Sequence, residues 1–559
     1  MKPASFSLLF FLTFLFLSLI SSAQPRPENG VWNYLDSASQ REIVAEIKDG
    51  KLNGTWQEFE NGKLAAQGHF ADGKEQGTWI EFYENGDTSL VTHFTAGIKN
   101  GEEKAYFEQH KTQSVVYFLL GKEEGKAYQF YPNGTLEIKA SYRDGEPHGL
   151  WEWFDPQSNT LEKATYSHGM LDGERTLYFP GGKVKTTELW RDSLLVSVSP
   201  TNSPTGGQLP TGDLKNGNGS RLLYSDMGKL EAKEMYAGGK LHGLTVLYDT
   251  LGNPEAEYTY TKGTLSGPYR AFFPNGAIAE LGSYENDLPH GKWVEYAGDG
   301  LPQATGNFVN GKREGIWHEL HIDSAVAGVG QYASDVKNGE WKYFDEEGNL
   351  IAKATHHPDQ TADFEEYEWD ENGESYVAAK GKTSQGNRTG KWLEFYPDGT
   401  VMSSGLYENG LEVGNWKNFH ANGEFMQEET WTAGLLMDVG PYFNLKGDSL
   451  YTGSIKNGEG YRKSFYPDGT PLSMGNYKKG KPEGEWKFFT SDGFLEAEGL
   501  YENGERTGTW TVYQPNGKKK ASGAYEKGEI VGEWKFYNKK GKKVEYVEDY
   551  GEYIGEQGS

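Results

Sequence analysis

Two histidines and a run of carboxylates stand close together at His356-His357-Pro358-Asp359, Asp363, Glu365 and Glu366. Imidazole nitrogens and carboxylate oxygens at such short spacing are the donors of a divalent-metal site, and the same composition also describes a solvated acidic insertion loop. No other segment offers a distinct reactive set. His148, His242 and His290 each directly precede a glycine of a recurring pattern, so they recur with a period rather than converge. Carboxylates are spread along the chain with no isolated pair suited to acid–base work. There is no Gly-x-Ser-x-Gly elbow, no cysteine thiol, and no phosphate-cradling glycine loop followed by a helix. The chemistry-bearing residues therefore predict a non-enzyme, with no catalytic, cofactor-binding or metal-ligating residue assigned and no cofactor expected.

What positions these side chains is a repeat. A glycine two residues before a tryptophan recurs at Gly30/Trp32, Gly54/Trp56, Gly77/Trp79, Gly149/Trp151, Gly291/Trp293, Gly315/Trp317 and Gly339/Trp341. The series continues at Gly390/Trp392, Gly414/Trp416, Gly484/Trp486, Gly508/Trp510 and Gly532/Trp534; where tryptophan is missing the glycine keeps time at Gly101, Gly125, Gly173, Gly219, Gly243, Gly267 and Gly460, so nearly every adjacent spacing is 24. Twelve of the 16 tryptophans thus occupy one repeat position, which makes these rings and glycines the structural signature of each unit. Nineteen units are clear, and about three decayed ones fall near Ser197, Phe364 and Gly440. Within a unit, two short aromatic runs separated by Asn-Gly or Asp-Gly signals read as two strands and two turns. One turn is Tyr-Pro-(Asn/Asp)-Gly, as at Tyr396-Pro-Asp-Gly399; the other is the Gly-x-x-x-Gly segment, as at Gly145-Glu-Pro-His-Gly149.

The expected fold is therefore all-β: an elongated array of ~24-residue hairpins pairing edge to edge into a long twisted antiparallel sheet, with a contour on the order of 200 Å. One conflict stands in the pattern. Trp79 and Phe82, like Trp486 and Phe489, are three apart, so strict alternation puts them on opposite faces unless a bulge re-aims one.

Composition sets the class. Gly 74 of 559 residues and 14% aromatics exceed ordinary usage while the apolar fraction is only 36%, which suits thin, ring-packed β-structure rather than thick helical cores. A net charge of −26 disfavours nucleic acid or an anionic membrane as the main partner. Residues 1–23, with Lys2, an apolar run from Phe6 to Ile20 and small residues up to Ala23, read as a secretory signal peptide. The expected location is periplasmic, cell-surface or extracellular, with no membrane insertion after cleavage.

The expected organisation is array 1 over 24–198, a Pro/Thr/Ser/Gly-rich junction over 199–211, array 2 over 212–355 and an irregular acidic insertion with a degenerate repeat over 356–380. Array 3 follows over 381–434, a second junction over 435–452, array 4 over 453–545 and a polar tail over 546–559. The stretch from Glu188-Leu-Trp190 to Gly219 resembles that from Glu429-Thr-Trp431 to Gly460, an offset of 241. Either a second-order duplication or repeat decay with loop insertion accounts for it.

Segments such as Tyr142-Arg-Asp-Gly145-Glu-Pro-His-Gly149-Leu-Trp151, Phe308-Val-Asn-Gly311-Lys-Arg-Glu-Gly315-Ile-Trp317 and Tyr525-Glu-Lys-Gly528-Glu-Ile-Val-Gly532-Glu-Trp534 resemble MORN repeats, and most closely the bacterial variant type. The resemblance runs from about residue 27 to 545. It implies a hairpin stack that serves as a protein–protein or membrane-associated scaffold, and bacterial members are described as antitoxin components. The leading expectation is a non-catalytic exported scaffold with a protein partner. The alternatives are an envelope glycan- or peptidoglycan-binding protein, in which exposed rings stack on sugars, and an antitoxin- or immunity-like protein acting on an exported partner.

Overall fold

The computed structural model describes residues 27–36 and 40–544; the expected signal peptide over 1–23 and the tail over 546–559 lie outside them. Each repeat is a β-hairpin closed by a two-residue turn. Asn310 and Gly311 have φ of +49° and +80°, and the strands Pro302–Val309 and Lys312–Leu320 pair directly across them, Val309 opposite Lys312. Two successive positive φ values define a type I′ turn, whose twist matches that of the strands it joins.

This corrects one sequence expectation. The Gly-x-x-x-Gly segment is not the turn; it is strand. The turn is the first glycine with the residue before it, and the second glycine is a bulge inside the strand. Asn307 faces Glu314 and Thr305 faces His318, leaving Gly315, Ile316 and Trp317 opposite Gly306 alone. Gly315 takes φ +73° there with open space where a Cβ would stand, so conformation rather than crowding selects glycine. Gly54, Gly77, Gly149, Gly390, Gly508 and Gly532 share the positive φ. The opposite turn is as expected: Gly399 N–H donates to Tyr396 O at 2.9 Å, and Asp398 accepts from Thr400 N–H at 2.8 Å. A second bulge settles the Trp–Phe conflict, because register shifts between Glu81 and Phe82 and between Phe488 and Phe489.

One compact unit covers residues up to 276 together with 284–287. Its strands from Gly30–Asp36 to Leu194–Val198 form an 18-stranded sheet, and a small hairpin pairs Thr201–Asn202 with Gln208–Leu209. Strands from Gly219–Tyr224 to Thr264–Phe272 follow. The second unit covers 277–283 and residues from 288 onward. Within it, strands run from Gly291–Tyr296 to Leu435–Val439, a small hairpin pairs Tyr442–Phe443 with Ser449–Leu450, and eight strands run from Gly460–Phe465 to Lys543–Val544. Strand pairings within each unit are antiparallel and join strands next to each other in sequence, or strands separated only by a two-residue strand, as Thr88–Thr95 with Gly101–Tyr106.

Successive hairpins are also tied at both sheet edges. Gly410 N–H donates to Arg388 O and Gly504 N–H to Pro482 O, at 2.9 and 3.0 Å. At the other edge Tyr131 Oη donates to Phe154 O at 2.8 Å and Tyr396 Oη to Phe419 O at 2.9 Å. The residue before the bulge glycine adds a third tie: Glu314 accepts from Ser334 N–H at 3.0 Å and His242 Nδ1 faces Lys262 N at 3.4 Å. Of the recurring histidines, His242 makes this tie, and the His148 ring packs 5.9 Å from that of His168 in the next turn.

The two interruptions are copies of one another, which favours duplication over decay. In the first unit Arg221 pairs with the fully buried Glu188; in the second Arg462 pairs with Glu429, and both pairs span 33 residues. Leu195 and Leu436 are fully buried at matching places, and their N–H groups donate to Gly239 O at 3.1 Å and Gly480 O at 3.3 Å. Each junction is therefore a clamp with a small hairpin beside it. The 356–380 stretch is regular rather than irregular: Leu350–His356, Thr361–Trp369 and Ser375–Ser384 are consecutive paired strands. Its tight turn is held by Asp359, which accepts from Thr361 N–H and Oγ1 at 3.1 and 2.7 Å.

One electrostatic weakness lies in the first sheet. Burial raises the pKa of Glu81, Glu103 and Glu58 raise it further, and Lys99 offsets only part. Its folded pKa exceeds the unfolded one, so the ionised form costs stability at neutral pH and that cost fades as pH falls through the folded pKa. Glu81→Gln is expected to raise the melting temperature at pH 7 by a few degrees, with the gain gone below about pH 4; thermal melts across pH check this.

Candidate functional site

The sheets have two unlike faces. On one, the tryptophans form the core: Trp32, Trp56, Trp79, Trp151, Trp293, Trp317, Trp341, Trp392, Trp416, Trp486, Trp510 and Trp534 are all buried. They alternate edge to face with the rings between them; Tyr332 stands 5.9 Å from Trp317 and 5.3 Å from Trp341, at 76° and 85°. In most repeats the indole lies across the preceding strand at the residue eleven positions earlier. There a Cβ on Gly306, Gly330, Gly381, Gly405, Gly475, Gly499 or Gly523 would fall inside the ring. The nearby bulge takes the next carbonyl out of the ladder, and at most of these positions, though not at Trp79 or Trp534, the indole N–H supplies its partner. Trp341 Nε1 donates to Gln331 O and Trp392 Nε1 to Lys382 O, both at 2.9 Å. Tryptophan is selected for area and donor together.

The repeat pattern alone did not reveal what covers these rings. The Arg388 guanidinium sits 4.1 Å from the Trp392 ring centre and 5.3 Å from that of Tyr407. Arg506 and Lys337 stand likewise at 4.8 and 3.8 Å from Trp510 and Trp341. A cation four residues before the tryptophan was the available signal.

The other face is polar. Over residues 340–393 of the second unit it holds an open groove of about 500 Å³ lined by Glu340, Lys353, Asp363, Glu365, Lys380, Lys382 and Lys391. Strand register sets the charges in a checkerboard: Glu365 lies between Lys353 and Lys380, and Asp363 faces Lys382. Lys380 and Lys353 also lie over Phe395 and Tyr367, at 4.9 and 5.2 Å.

Alternation divides the histidine–carboxylate set between these faces. Asp363 and Glu365 line the groove, with His357 Nε2 2.9 Å from Asp363. His356 turns to the core face, 6.4 Å from the Trp341 ring and 3.4 Å from Tyr343 Oη, and burial lowers its pKa first of all. Glu366, on that same face, pairs with Arg388. Among the described residues no three His, Asp or Glu side chains are grouped to hold a metal ion. No helix among them is long and apolar enough to cross a membrane.

With this geometry in place, comparison with known proteins adds the repeat class. The family described as MORN repeat variant matches residues 123–144, 337–357, 388–409 and 458–479, so the chain carries MORN repeats at those four places. No curated protein sequence matches it. Among solved structures, a crystal structure of TcdB2–TccC3 without its hypervariable C-terminal region aligns at 11% identity and a TM-score of 0.14, covering 89% of this chain and 34% of that one. A Photorhabdus luminescens Tc holotoxin pore aligns at 9% identity and a TM-score of 0.12, covering 89% and 30%. The chain spans about a third of the length of these solved chains.

Proposed function

We propose that this chain is an exported, non-catalytic MORN-repeat scaffold that holds a protein partner on the polar face of its sheets. The observation that carries the reading is the division of labour between faces. Core packing occupies one face completely, while the other presents the charge checkerboard over 340–393 as an open groove. Such a surface suits an extended polypeptide whose charges alternate in the opposite sense. Sugar stacking would need exposed rings; the twelve repeat tryptophans are buried, and exposed rings such as Tyr117, Trp369 and Tyr451 lie outside that series. An immunity-like role would use the same groove with an exported toxin as partner.

Because the chain has no cysteine, Lys382→Cys gives a single cross-linking site in the groove. In the native cell it is expected to trap one discrete protein, and K353E/K380E/K391E added to that variant should reduce capture at least tenfold. Hydrolysis or transfer of an envelope substrate by the purified protein, or capture unchanged by the charge reversals, would overturn the reading.

A further inference from the structure

The C-terminal end of the array reverses the charge of the rest. Residues 518–543 contain nine lysines and three glutamates within a chain of net charge −26. Topology gathers these lysines, because the turns at 514–518 and 538–542 stack on each other. Gln514 Nε2 donates to Asn538 O at 2.8 Å, Asn516 Nδ2 to Lys539 O at 3.1 Å, and Lys518 Nζ to Lys540 O at 3.2 Å. Lys518, Lys519, Lys539, Lys540, Lys542 and Lys543 therefore share one exposed corner. Among the described residues none of the six has a carboxylate within ion-pair distance. Some lysines elsewhere do reach a carboxylate: Lys139 and Lys163 both meet Glu152, at 2.6 and 3.0 Å. A concentration of unpaired like charge on two pinned turns costs free energy unless an anion neutralises it.

The sequence supplies one. Residues 545–559 contain Glu545, Glu548, Asp549, Glu552 and Glu556 and no cation, and they begin two residues beyond Lys543. We propose that the lysine corner is a docking surface for an acidic peptide segment, and that its occupant is this chain's own C-terminal segment 545–559. A tether this short places the carboxylates at millimolar effective concentration, within the roughly 10 Å over which charges act at 0.1 M salt. Docked, the segment masks this basic corner of an acidic protein and keeps it from the acidic surfaces of other copies.

The test uses the full chain. A dye on Ser559→Cys reports the segment by fluorescence anisotropy. High anisotropy is expected at low salt, with a fall at 1 M salt, where the screening length is about 3 Å. The same fall should appear at low salt with K518Q/K519Q/K539Q/K540Q/K542Q/K543Q. In trans, a synthetic 545–559 peptide should bind the E545Q/E548Q/D549N/E552Q/E556Q chain at least tenfold more tightly than the unaltered one. Anisotropy that ignores both salt and the lysine changes overturns the proposal, as does equal peptide binding by the two chains. A low-salt anisotropy that grows with protein concentration alongside faster sedimentation also overturns it, by making a second copy the occupant.

Discussion

Gly381→Val should destabilise the protein about as much as Trp392→Ala, roughly 3–5 kcal/mol each, although a glycine has no side chain to lose. The equivalence comes from their shared space. Trp392 is fully buried, and a Cβ at Gly381 would stand inside its indole, so a β-branched side chain expels the ring from its slot. Gly381→Ala should be milder, because Ala45 and Ala140 occupy the same position ahead of Trp56 and Trp151 and both tryptophans remain buried. Trp392→Phe separates area from donor: it keeps a ring but leaves Lys382 O without its 2.9 Å partner, an expected loss of about 1–3 kcal/mol. The double variant Gly381→Val/Trp392→Ala should cost far less than the sum, since valine fills part of the vacated slot. Repeat arrays can open locally. Hydrogen exchange of the amides in Ser375–Ser384 and Asn387–Phe395, read beside urea midpoints, is therefore the measurement that checks it. Additive costs would mean that ring and glycine do not share that space.

That coupling also marks how far the sequence could be read. The 24-residue period, the recurring Gly-x-Trp and the two strands per unit stand in the residue order, because each unit repeats the same local physics. The hairpin turn was assigned one segment too late because two glycines with positive φ flank the same three residues, and spacing alone does not say which closes the loop. Gly311 closes it and Gly315 bulges within the strand. The set around His356 and Glu366 does not converge, for a related reason. A register of alternating faces sends His356 and Glu366 to the core and Asp363 and Glu365 to the groove, so proximity in sequence is not convergence in space. The groove itself was invisible, since its lysines and carboxylates meet only across strands. Glu188 and Arg221 are 33 residues apart with a Pro/Ser/Thr stretch between them, and no local pattern announces that they meet.

The clamp gives the second large effect, and duplication makes it self-controlled. Arg462→Met should cost about 3 kcal/mol, the low end of the loss when one member of a buried ion pair is removed, because this pair is largely rather than fully buried. Burial works against the charge of Arg462, but Glu429 and Tyr477 outweigh it and raise its pKa; without the guanidinium, Glu429 keeps its burial and loses that partner. The matching Arg221→Met should cost clearly less. Glu188 retains Arg175 Nη1 at 3.3 Å and the Trp190 indole N–H at 2.9 Å, so its charge is not stranded. Glu429→Met/Arg462→Met should recover most of the loss, because replacing both partners of a buried pair with apolar groups of similar size is often neutral. The amides of Leu436 and Leu195, whose hydrogen bonds to Gly480 O and Gly239 O tie each junction together, report each clamp separately by hydrogen exchange. Faster exchange at Leu436 than at Leu195 for the paired substitutions is the expected order. Equal acceleration would show that the clamps bear the junctions alike and that Arg175 and Trp190 add nothing to the first.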